Sequence, residues 1–520
     1  MTNYLALLAN FINTPRPRGH GGIRLADDDF RPLQIVVLDD GGNSDIAAEA
    51  VRTLVRGDGE LPKANFLLGP YSSYLTQGAV SASEELGTLL LAPAAALSSV
   101  FTGKKLVFGM INGAAIALHP LIDALYNLTT EDNKRAINKV AFIAENSPVM
   151  LEYCEGAMNR ARALNPNSAM QRFVFNYTEG DSNTTADSVR DLLRKLKIGE
   201  WDAVIGCTYS PACHAVLKKM ASEDDPMYVK AVSFPFCMQG ENDRALSELR
   251  LEAEYMIFSG YSGGPDTTSH FNMTPTWTPD DIFMQYRESF FIDPSGSSFS
   301  TLNAGLLLVY AIEACAQNVS KTYDTTECMS SARIADVLRS GDPSLSTSSR
   351  SSWDGGWEWS GGHSSMYAAT RSRFQTLLGE IEFDENQQAI IPSWLYQLTP
   401  QSESDNRLMP TFLTPGALGI KMIPPWKERW CNYYRFCAGG TCDEHGNCHC
   451  DGGQIRVPTP SRLGEPVYSG KGYTIYQEPG ECRDFFFSNE AIKRVSACVG
   501  GLVAVVCLLV AWRKSRDIRR

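Results

Sequence analysis

Short apolar runs alternate with amphipathic segments along the first half of the chain. Apolar residues recur with helical spacing across 3–13, and further amphipathic helices are predicted from Asp45 and across 74–86. Three predicted strands accompany them: 34–40, 65–70 and 88–93. Strands that alternate with helices in this way form parallel sheets with helices on both faces. The pattern therefore predicts an α/β protein.

A second series of the same kind begins at Lys139. Its predicted strands are 139–145, 173–177, 202–207, 230–234 and 254–261. Two consecutive series favour two separate α/β lobes. Helical patterns follow at 279–291 and 301–317, and residues 379–399 have the pattern of a β-hairpin with its turn at 384–387.

A polar stretch rich in serine and glycine, 340–365, cannot bury a core, so we predict a surface loop. Its three tryptophans either form a binding patch or fold back onto their own domain: Trp353, Trp357 and Trp359. Four prolines between 410 and 425 indicate a linker into a cysteine-rich segment.

The C-terminal region contains an uncharged run, 495–512, that is long enough for one helix to cross a hydrocarbon layer of about 30 Å. More basic residues follow this run than precede it, which predicts a cytoplasmic stub at 513–520 and an N-terminal part outside the cell. The alternative is a buried core helix, which the pair Gly500 and Gly501 disfavours. We therefore expect a single-pass membrane protein.

Composition excludes several classes of protein. The chain has 520 residues, 43% of them hydrophobic, and a formal net charge of −12. Such a chain can build a large core, and its acidic surface argues against nucleic-acid partners. The sequence has no GxSxG, HExxH or phosphate-loop motif, and its seven histidines form no catalytic pattern. We predict no enzymatic activity and no cofactor.

Six of the 14 cysteines are clustered near the C-terminal end. They are Cys431, Cys437, Cys442, Cys448, Cys450 and Cys482. This density is typical of a disulfide framework in an oxidising compartment, and the spacing resembles an EGF-like module with a long last interval. The alternative, a zinc site, would use Cys442, His445, Cys448, His449 and Cys450. Because those spacings suit tetrahedral coordination poorly, we predict no metal.

The remaining cysteines outside the C-terminal run allow two local bridges. Cys207 with Cys213, and Cys315 with Cys328, are near enough in sequence to pair, while Cys154 and Cys237 are unassigned. Five sequons for N-glycosylation fit an extracellular chain: Asn127, Asn176, Asn183, Asn272 and Asn318.

Seven segments match one known family in order and spacing. They are GGIRLADDDFRPLQIVVLDDGGNSDIAAEAVRTLV, NFLLGPYSS, LLLAPAAA, KVAFIAENS, WDAVIGCTYSPACHAVLKKM, EAEYMIFSGY and GEIEFDEN. Over roughly residues 4–400 the chain resembles the type I periplasmic-binding proteins, which include bacterial branched-chain amino-acid-binding proteins. The ectodomains of class C G-protein-coupled receptors, natriuretic-peptide receptors and ionotropic glutamate receptors share that fold. The resemblance implies two lobes with parallel sheets, arranged as a Venus flytrap.

The resemblance also implies domain boundaries. The chain would cross between lobes near Gly113, Tyr261 and Phe374. The expected parts are a first lobe at about 1–113 and 262–373, a second lobe at about 114–261 and 374–400, a ligand-binding ectodomain spanning 1–425 and an EGF-like stalk at 426–490. In the family a strand precedes the first helix. Its absence here predicts a truncated N-terminus or, alternatively, a remodelled first lobe with a signal anchor.

In this fold the carboxyl ends of the strands and the N-termini of the following helices meet at the gap between the lobes. The implied ligand-binding residues are Tyr71, Ser72, Ser73, Ala94, Ala96, Ser147, Tyr209 and Phe236. Ser72 or Ser73 would hold a ligand carboxylate; alternatively, Ser72 caps a helix and Tyr209 only packs. The acid that pairs with a ligand ammonium in amino-acid-binding relatives is replaced near Phe236, so we predict a ligand that is not a simple α-amino acid.

Residues 491–520 are similar to the first transmembrane helix and basic loop of class C receptors of the metabotropic GABA type. We therefore expect the small-ligand-sensing ectodomain of such a receptor, with a ligand that closes the interlobe cleft. The family implies a homo- or heterodimer that pairs through the first lobe. The alternatives are a receptor-type guanylate cyclase ectodomain and a membrane-anchored solute-binding protein of a transporter.

Overall fold

The structure of the chain is a computed structural model. It describes residues 2–15, 20–25, 29–57, 59–129, 135–177, 182–220, 227, 229–237, 253, 255–260, 277–291, 296–319, 328–340, 373–391, 393–400, 408–413, 437–438, 441–442, 448–449, 454–458, 467–468, 474–475 and 480–484. The chain divides into two compact units. The first comprises Met1–Gln401 and Arg407–Ile423, and the second comprises Ser402–Asn406 and Pro424–Arg520.

Ten α-helices lie within the described residues. They are α1 (Thr2–Asn13), α2 (Ser44–Arg56), α3 (Ser73–Glu85), α4 (His119–Tyr126), α5 (Pro148–Leu164), α6 (Ser182–Lys197), α7 (Ser210–Met220), α8 (Pro279–Phe290), α9 (Gly296–Val319) and α10 (Ser331–Ser340). Polar residues fix where several begin: Asn43 Oδ1 accepts from the backbone N–H of Asp45, and Thr278 forms a capping box with Asp281. The helices predicted across 3–13, 74–86, 279–291 and 301–317 are confirmed.

The first lobe contains a small parallel sheet. Its strands are β3 (Leu67–Leu68), β4 (Leu90–Ala92) and β5 (Val107–Gly109), in the order β3-β4-β5. A separate hairpin joins β1 (Ile23–Arg24) to β2 (Phe30–Arg31). The strands predicted at 65–70 and 88–93 are therefore confirmed as shorter segments, while β5 was not predicted.

The strand predicted at 34–40 is wrong. Those residues are described and have no strand, and the side chain of Val37 is 51% exposed. A run of strand-forming residues becomes a strand when a neighbour supplies hydrogen-bond partners, and no strand in the described part of the first lobe pairs with this segment. Its start is fixed instead by the Asn13 amide, which bonds both the N–H and the C=O of Leu33.

The second lobe is built on a seven-stranded sheet. Its strands are β6 (Lys139–Glu145), β7 (Ala169–Phe175), β8 (Ala203–Cys207), β9 (Ala231–Ser233), β10 (Ile257–Gly260), β14 (Trp394–Pro400) and β15 (Leu408–Leu413). The order is β15-β14-β10-β9-β8-β6-β7, in which β6 to β10 are parallel and the last two strands join antiparallel. All five strands predicted for this lobe are confirmed, and the two sheets together confirm the two-lobed α/β fold.

Residues 373–390 belong with the first lobe. They form β11 (Arg373–Thr376), β12 (Gly379–Phe383) and β13 (Ala389–Ile390), with the predicted hairpin turn between β12 and β13. The backbone N–H of Gly109 in β5 donates to Gln387 O, and Phe108 packs edge-to-face on Phe383. The chain enters the seven-stranded sheet at β14, so the crossing expected near Phe374 lies instead between β13 and β14. The crossing expected at Tyr261 lies outside the described residues.

Helix α9 runs through the first-lobe core. Its segment Phe299–Ala316 has the length and apolar composition of a membrane span, but 89% of that segment is buried inside the protein. It is the single such helix among the described residues, and it serves as a core helix. Its buried Glu313 accepts hydrogen bonds from His20 Nε2 at 2.8 Å and from Arg24 N at 2.7 Å, so the polar group has partners.

The second unit is described through short strands. They are β16 (Cys437–Ala438), β17 (Thr441–Cys442), β18 (Cys448–His449), β19 (Gln454–Pro458), β20 (Val467–Tyr468), β21 (Thr474–Ile475) and β22 (Gly480–Asp484). β17 and β18 form a hairpin, and the backbone of Cys442 is opposite that of Cys448. Four of the six clustered cysteines occupy these strands, whereas Cys431 and Cys450 lie outside the described residues, as do the tryptophans of the 340–365 loop and the predicted span 495–512.

Candidate functional site: the interlobe cleft

The interlobe cleft is bounded by the loops that follow the parallel strands: 69–73 and 92–98 in the first lobe, and 145–148, 208–210 and 234–237 in the second. In the second lobe, β6 ends at Glu145 and β8 ends at Cys207, on adjacent strands. The backbone N–H of Tyr209 donates to Glu145 Oε2 at 3.1 Å. This bond places a carboxylate and a phenol side by side at the carboxyl edge of the sheet.

The pKa of Glu145 and the pKa of Tyr209 are both raised above their ordinary values. Burial raises the pKa of Glu145, and the hydrogen bond from Tyr209 N opposes that shift in part. Burial, then Glu145, then Tyr71 raise the pKa of Tyr209 to about 12. Tyr71 belongs to the first lobe, so the two lobes bring tyrosines within electrostatic reach of each other. Both rings remain accessible, with Tyr71 38% and Tyr209 43% exposed.

Two hydroxyl groups next to the Glu145–Tyr209 pair are buried without a hydrogen-bond partner among the described residues. They are Ser147 Oγ, at the N-cap of α5, and Thr208 Oγ1, whose side chain is fully buried. Buried hydroxyls normally have partners. Each therefore has hydrogen-bonding capacity that no described residue uses.

Phe236 lies behind this edge. It is buried, and its ring centroid is 4.4 Å from that of Tyr153 on α5. Ser210 Oγ donates to Phe236 O at 3.0 Å, and a disulfide joins Cys213 of α7 to Cys237. Phe236 therefore forms part of the wall under the cleft and keeps its predicted place in the loop after β9.

The predicted serines of the first lobe have partners within the protein. Ser72 Oγ accepts from Leu75 N and caps α3, as the alternative interpretation stated. Ser73 is buried, and its Oγ accepts from Ala96 N and Leu97 N at 3.0 and 3.1 Å. Ser73 and Ala96 are thus brought together, with Ala94 half-buried in the same loop.

One carboxylate of α5 bonds a residue of the opposite lobe. Glu152, in the second turn of α5, accepts hydrogen bonds from the Ser98 hydroxyl and, at 3.3 Å, from Ser98 N. Ser98 begins the 3-10 helix Ser98–Val100 after β4 in the first lobe. The hydroxyl and backbone N–H that could have held a ligand anion are therefore occupied by a side chain of the opposite lobe.

The first and third crossings are held together by Asn112. Its Oδ1 accepts from Ile391 N at 2.8 Å, and its Nδ2 donates to Ile391 O at 3.0 Å and to Ser393 Oγ at 2.8 Å. The helix α5 also approaches the first crossing closely, because a Cβ on Gly156 would lie 2.1 Å from Ala115 O. These contacts define the hinge side of the cleft.

Two cysteine predictions have definite outcomes. The Cys315–Cys328 bridge is confirmed, and the Cys207–Cys213 bridge is wrong because Cys213 pairs with Cys237. Cys207, at the end of β8, stays a buried thiol beside Cys154. Sequence separation favoured the nearer pair, but β9 returns the chain beside β8 and brings Cys237 to the start of α7.

The predicted sequons are partly described. Asn127 and Asn176 are exposed, although Asn176 Oδ1 also accepts from Asn146 Nδ2 at 2.9 Å. Asn183 and Asn318 lie in α6 and α9, and Asn272 lies outside the described residues. No group of three metal-ligating side chains occurs within the described part of the chain.

Comparison with protein-family profiles gives no match, and no curated protein sequence matches the chain. Solved structures do match. The leucine-binding protein LivK of Thermotoga maritima aligns with a TM-score of 0.52 at 13% identity, over 82% of this chain and 95% of its own. A substrate-binding protein of an ABC transporter from Desulfitobacterium hafniense, solved with leucine, gives 0.52 at 16% identity over 79% and 95%.

A solute-binding protein of an ABC transporter from R. palustris, solved with benzoate, aligns with a TM-score of 0.54 at 13% identity, over 81% of this chain and 91% of its own. At such identities the likeness establishes the fold and leaves the ligand open. The chain therefore has the type I periplasmic-binding fold, with two α/β lobes and a cleft between them, as its sequence indicated.

Proposed function

We propose that this chain is the extracellular ligand-sensing part of a membrane receptor, in which a small ligand binds between the lobes and stabilises their closed arrangement. The observation that carries the proposal is that each lobe places an exposed tyrosine, Tyr71 or Tyr209, in a loop that borders the cleft. A ligand that contacts both rings favours closure. The similar proteins solved with leucine and with benzoate support a small organic ligand.

The proposed receptor belongs with class C receptors of the metabotropic GABA type. Support comes from the sequence: the apolar run 495–512 with its basic flank, the EGF-like cysteine spacing ahead of it and the sequons. In this proposal the cysteine-rich segment is a disulfide-bonded stalk, the C-terminus is cytoplasmic, and two chains pair through the first lobe. The ectodomain binds its ligand without catalysis.

Hydrogen exchange tests the binding role. The full chain in detergent is exposed to deuterated buffer with and without a panel of amino acids, amines and aromatic acids. We expect a true ligand to slow exchange in both lobes, at 71–76 and at 208–213, because closure shields both edges. Protection confined to one lobe, or to neither across the panel, would contradict ligand-driven closure.

A second candidate is a membrane-anchored solute-binding protein, which is favoured because the similar solved proteins serve ABC transporters. Sequencing the transcript past the codon for Arg520 separates the two. Further apolar spans support the class C receptor, a stop codon supports the transporter role, and one long soluble region supports a guanylate cyclase.

A further inference from the structure

Building on the proposed function, we infer that the cleft selects an organic cation, an amine or quaternary ammonium group without an adjacent carboxylate, held by Glu145 between Tyr71 and Tyr209. The acid involved is Glu145 at the end of β6, a position that was not among the predicted ligand-binding residues.

Glu145 is available for a cation. It is half-buried and accepts a hydrogen bond from Tyr209 N, and no lysine, arginine or histidine pairs with it among the described residues. A carboxylate that has lost part of its hydration without gaining a counter-ion is costly, and a ligand cation reduces that cost. Burial raises the pKa of Glu145, which agrees with a missing counter-ion.

The two tyrosines complete a site for a cation. Tyr71 and Tyr209 expose their rings on either side of the cleft, and an ammonium group is attracted to the negative face of a phenol ring. Thr208 Oγ1 and Ser147 Oγ, buried and without partners among the described residues, lie on the loops that carry the acid and the second ring. They can accept the N–H bonds of a primary amine.

An anion is disfavoured by the same cleft. Ser73 Oγ already accepts from Ala96 N and Leu97 N, and Ser98 already donates to Glu152. Glu145 and Glu152 place two carboxylates on the second-lobe side, and like charges repel a ligand carboxylate. The hydroxyls that would bind a ligand carboxylate already have hydrogen-bond partners within the protein. Glu145, which would bind a cation, has no cationic partner among the described residues.

The test is isothermal titration calorimetry of the full chain in detergent. The probes are n-butylammonium, tetramethylammonium, isovalerate, benzoate and leucine. We expect one or both cations to bind and the two anions to fail. Glu145→Gln keeps the acceptor for Tyr209 N but removes the charge, so it should reduce cation affinity at least about tenfold.

Two further variants serve as a control and as an independent test. Glu155→Gln, which removes an exposed acid on the same lobe, should leave cation affinity unchanged. Tyr71→Ala removes an exposed ring and should weaken cation binding by about 2- to 30-fold even if Glu145→Gln fails to fold.

Three results overturn the inference. The first is that leucine or benzoate binds and neither cation does. This result overturns the inference but leaves the proposed sensing function intact. The second is that Glu145→Gln and the unmodified chain bind the cations with equal affinity, which overturns the assignment of Glu145. Failure of every probe, together with unchanged hydrogen exchange at 71–76 and 208–213 across the wider panel, counts against both the inference and the proposed function.

Discussion

Cys154 and Cys207 are buried thiols that lie together beneath the cleft, one on α5 and one at the end of β8. The thiol of Cys154 donates to Ile143 O at 3.5 Å. Burial, and after it the neighbouring Cys154, raise the pKa of Cys207 well above its ordinary value. The thiolate is the species that attacks an alkylating reagent, and both sulfur atoms are buried, so the folded protein should protect both residues from modification.

We expect iodoacetamide to leave Cys154 and Cys207 unmodified in the native chain and to modify both after unfolding in guanidinium chloride. Peptide mass spectrometry at each cysteine makes the measurement, and the unfolded sample is the control. Rapid modification of Cys207 in the native chain would show that β8 and α5 separate readily.

At the residue scale, the sequence predicted where a residue lies relative to the strands better than it predicted which atoms that residue bonds. Ser72, Ser73 and Tyr209 lie where chain segments follow recognisable apolar strands, and their role in ligand binding stays a prediction. The partners depend on distant segments: Ser73 bonds Ala96 N, and Glu145 receives Tyr209 N. Glu145 could have been identified as the acidic residue that ends the strongest strand pattern, since strand ends of this fold face the cleft.

Asp202 holds the starts of three strands together. Its Oδ2 accepts from Asn138 N at 2.8 Å and Lys139 N at 2.9 Å beside β6, and its Oδ1 accepts from Lys230 Nζ at 2.7 Å ahead of β9. Burial alone would raise the pKa of Asp202, but the Lys230 ammonium and the two backbone N–H groups outweigh it and lower that pKa.

Asp202→Asn should therefore lower the free energy of unfolding by about 1–3 kcal/mol at neutral pH. Because the folded pKa lies below the ordinary value of 3.8, the carboxylate stabilises fully above that value and loses its effect as pH falls through the folded pKa. As the pH falls below 3.8, the difference between the unfolding midpoints of variant and unmodified chain should shrink, in measurements from neutral pH down to about pH 3. A difference that is constant down to that pH would refute the assignment.

The Cys213–Cys237 bridge closes a loop with a sequence separation of 24 residues. Replacing both cysteines with alanine should destabilise the chain by about 3 kcal/mol, because the unfolded state gains freedom. Thermal unfolding of the double variant measures this loss, with Cys154→Ala as the control for removing a buried sulfur. An unchanged midpoint would show that packing alone holds the loop.

At the element scale, sequence predicted the central strands β6, β8 and β9 of the second lobe because their apolar runs are buried. Strand β6 extends over the predicted residues, and β8 and β9 lie inside their predicted ranges. The run 34–40 has the same composition but lacks a pairing partner among the described residues. Whether an apolar run becomes a strand depends on a partner strand that can be distant in sequence, and the local pattern of residues does not reveal that partner.

On the scale of the whole molecule, Glu152 and Ser98 connect lobes that ligand binding is proposed to bring together. Glu152→Ala removes an acceptor for the Ser98 hydroxyl and backbone N–H. We expect the lobes to separate more often, with faster hydrogen exchange at 98–102 and a larger radius of gyration in neutron scattering with matched detergent.

Glu155→Ala is the matched control for Glu152→Ala, since Glu155 lies on the same helix and pairs with Arg172 of the same lobe. It should change neither the exchange at 98–102 nor the radius of gyration. If the two variants behave alike, the contact between Ser98 and Glu152 has no part in holding the lobes together.

The Asn112 side chain has a mechanical consequence. It bonds the backbone of Ile391 in both directions and also reaches Ser393, so the first and third crossings form one connected piece. While these bonds hold, the two crossings cannot twist independently of each other. We expect any relative movement of the lobes to turn both crossings together, because the Asn112 amide ties one crossing to the other.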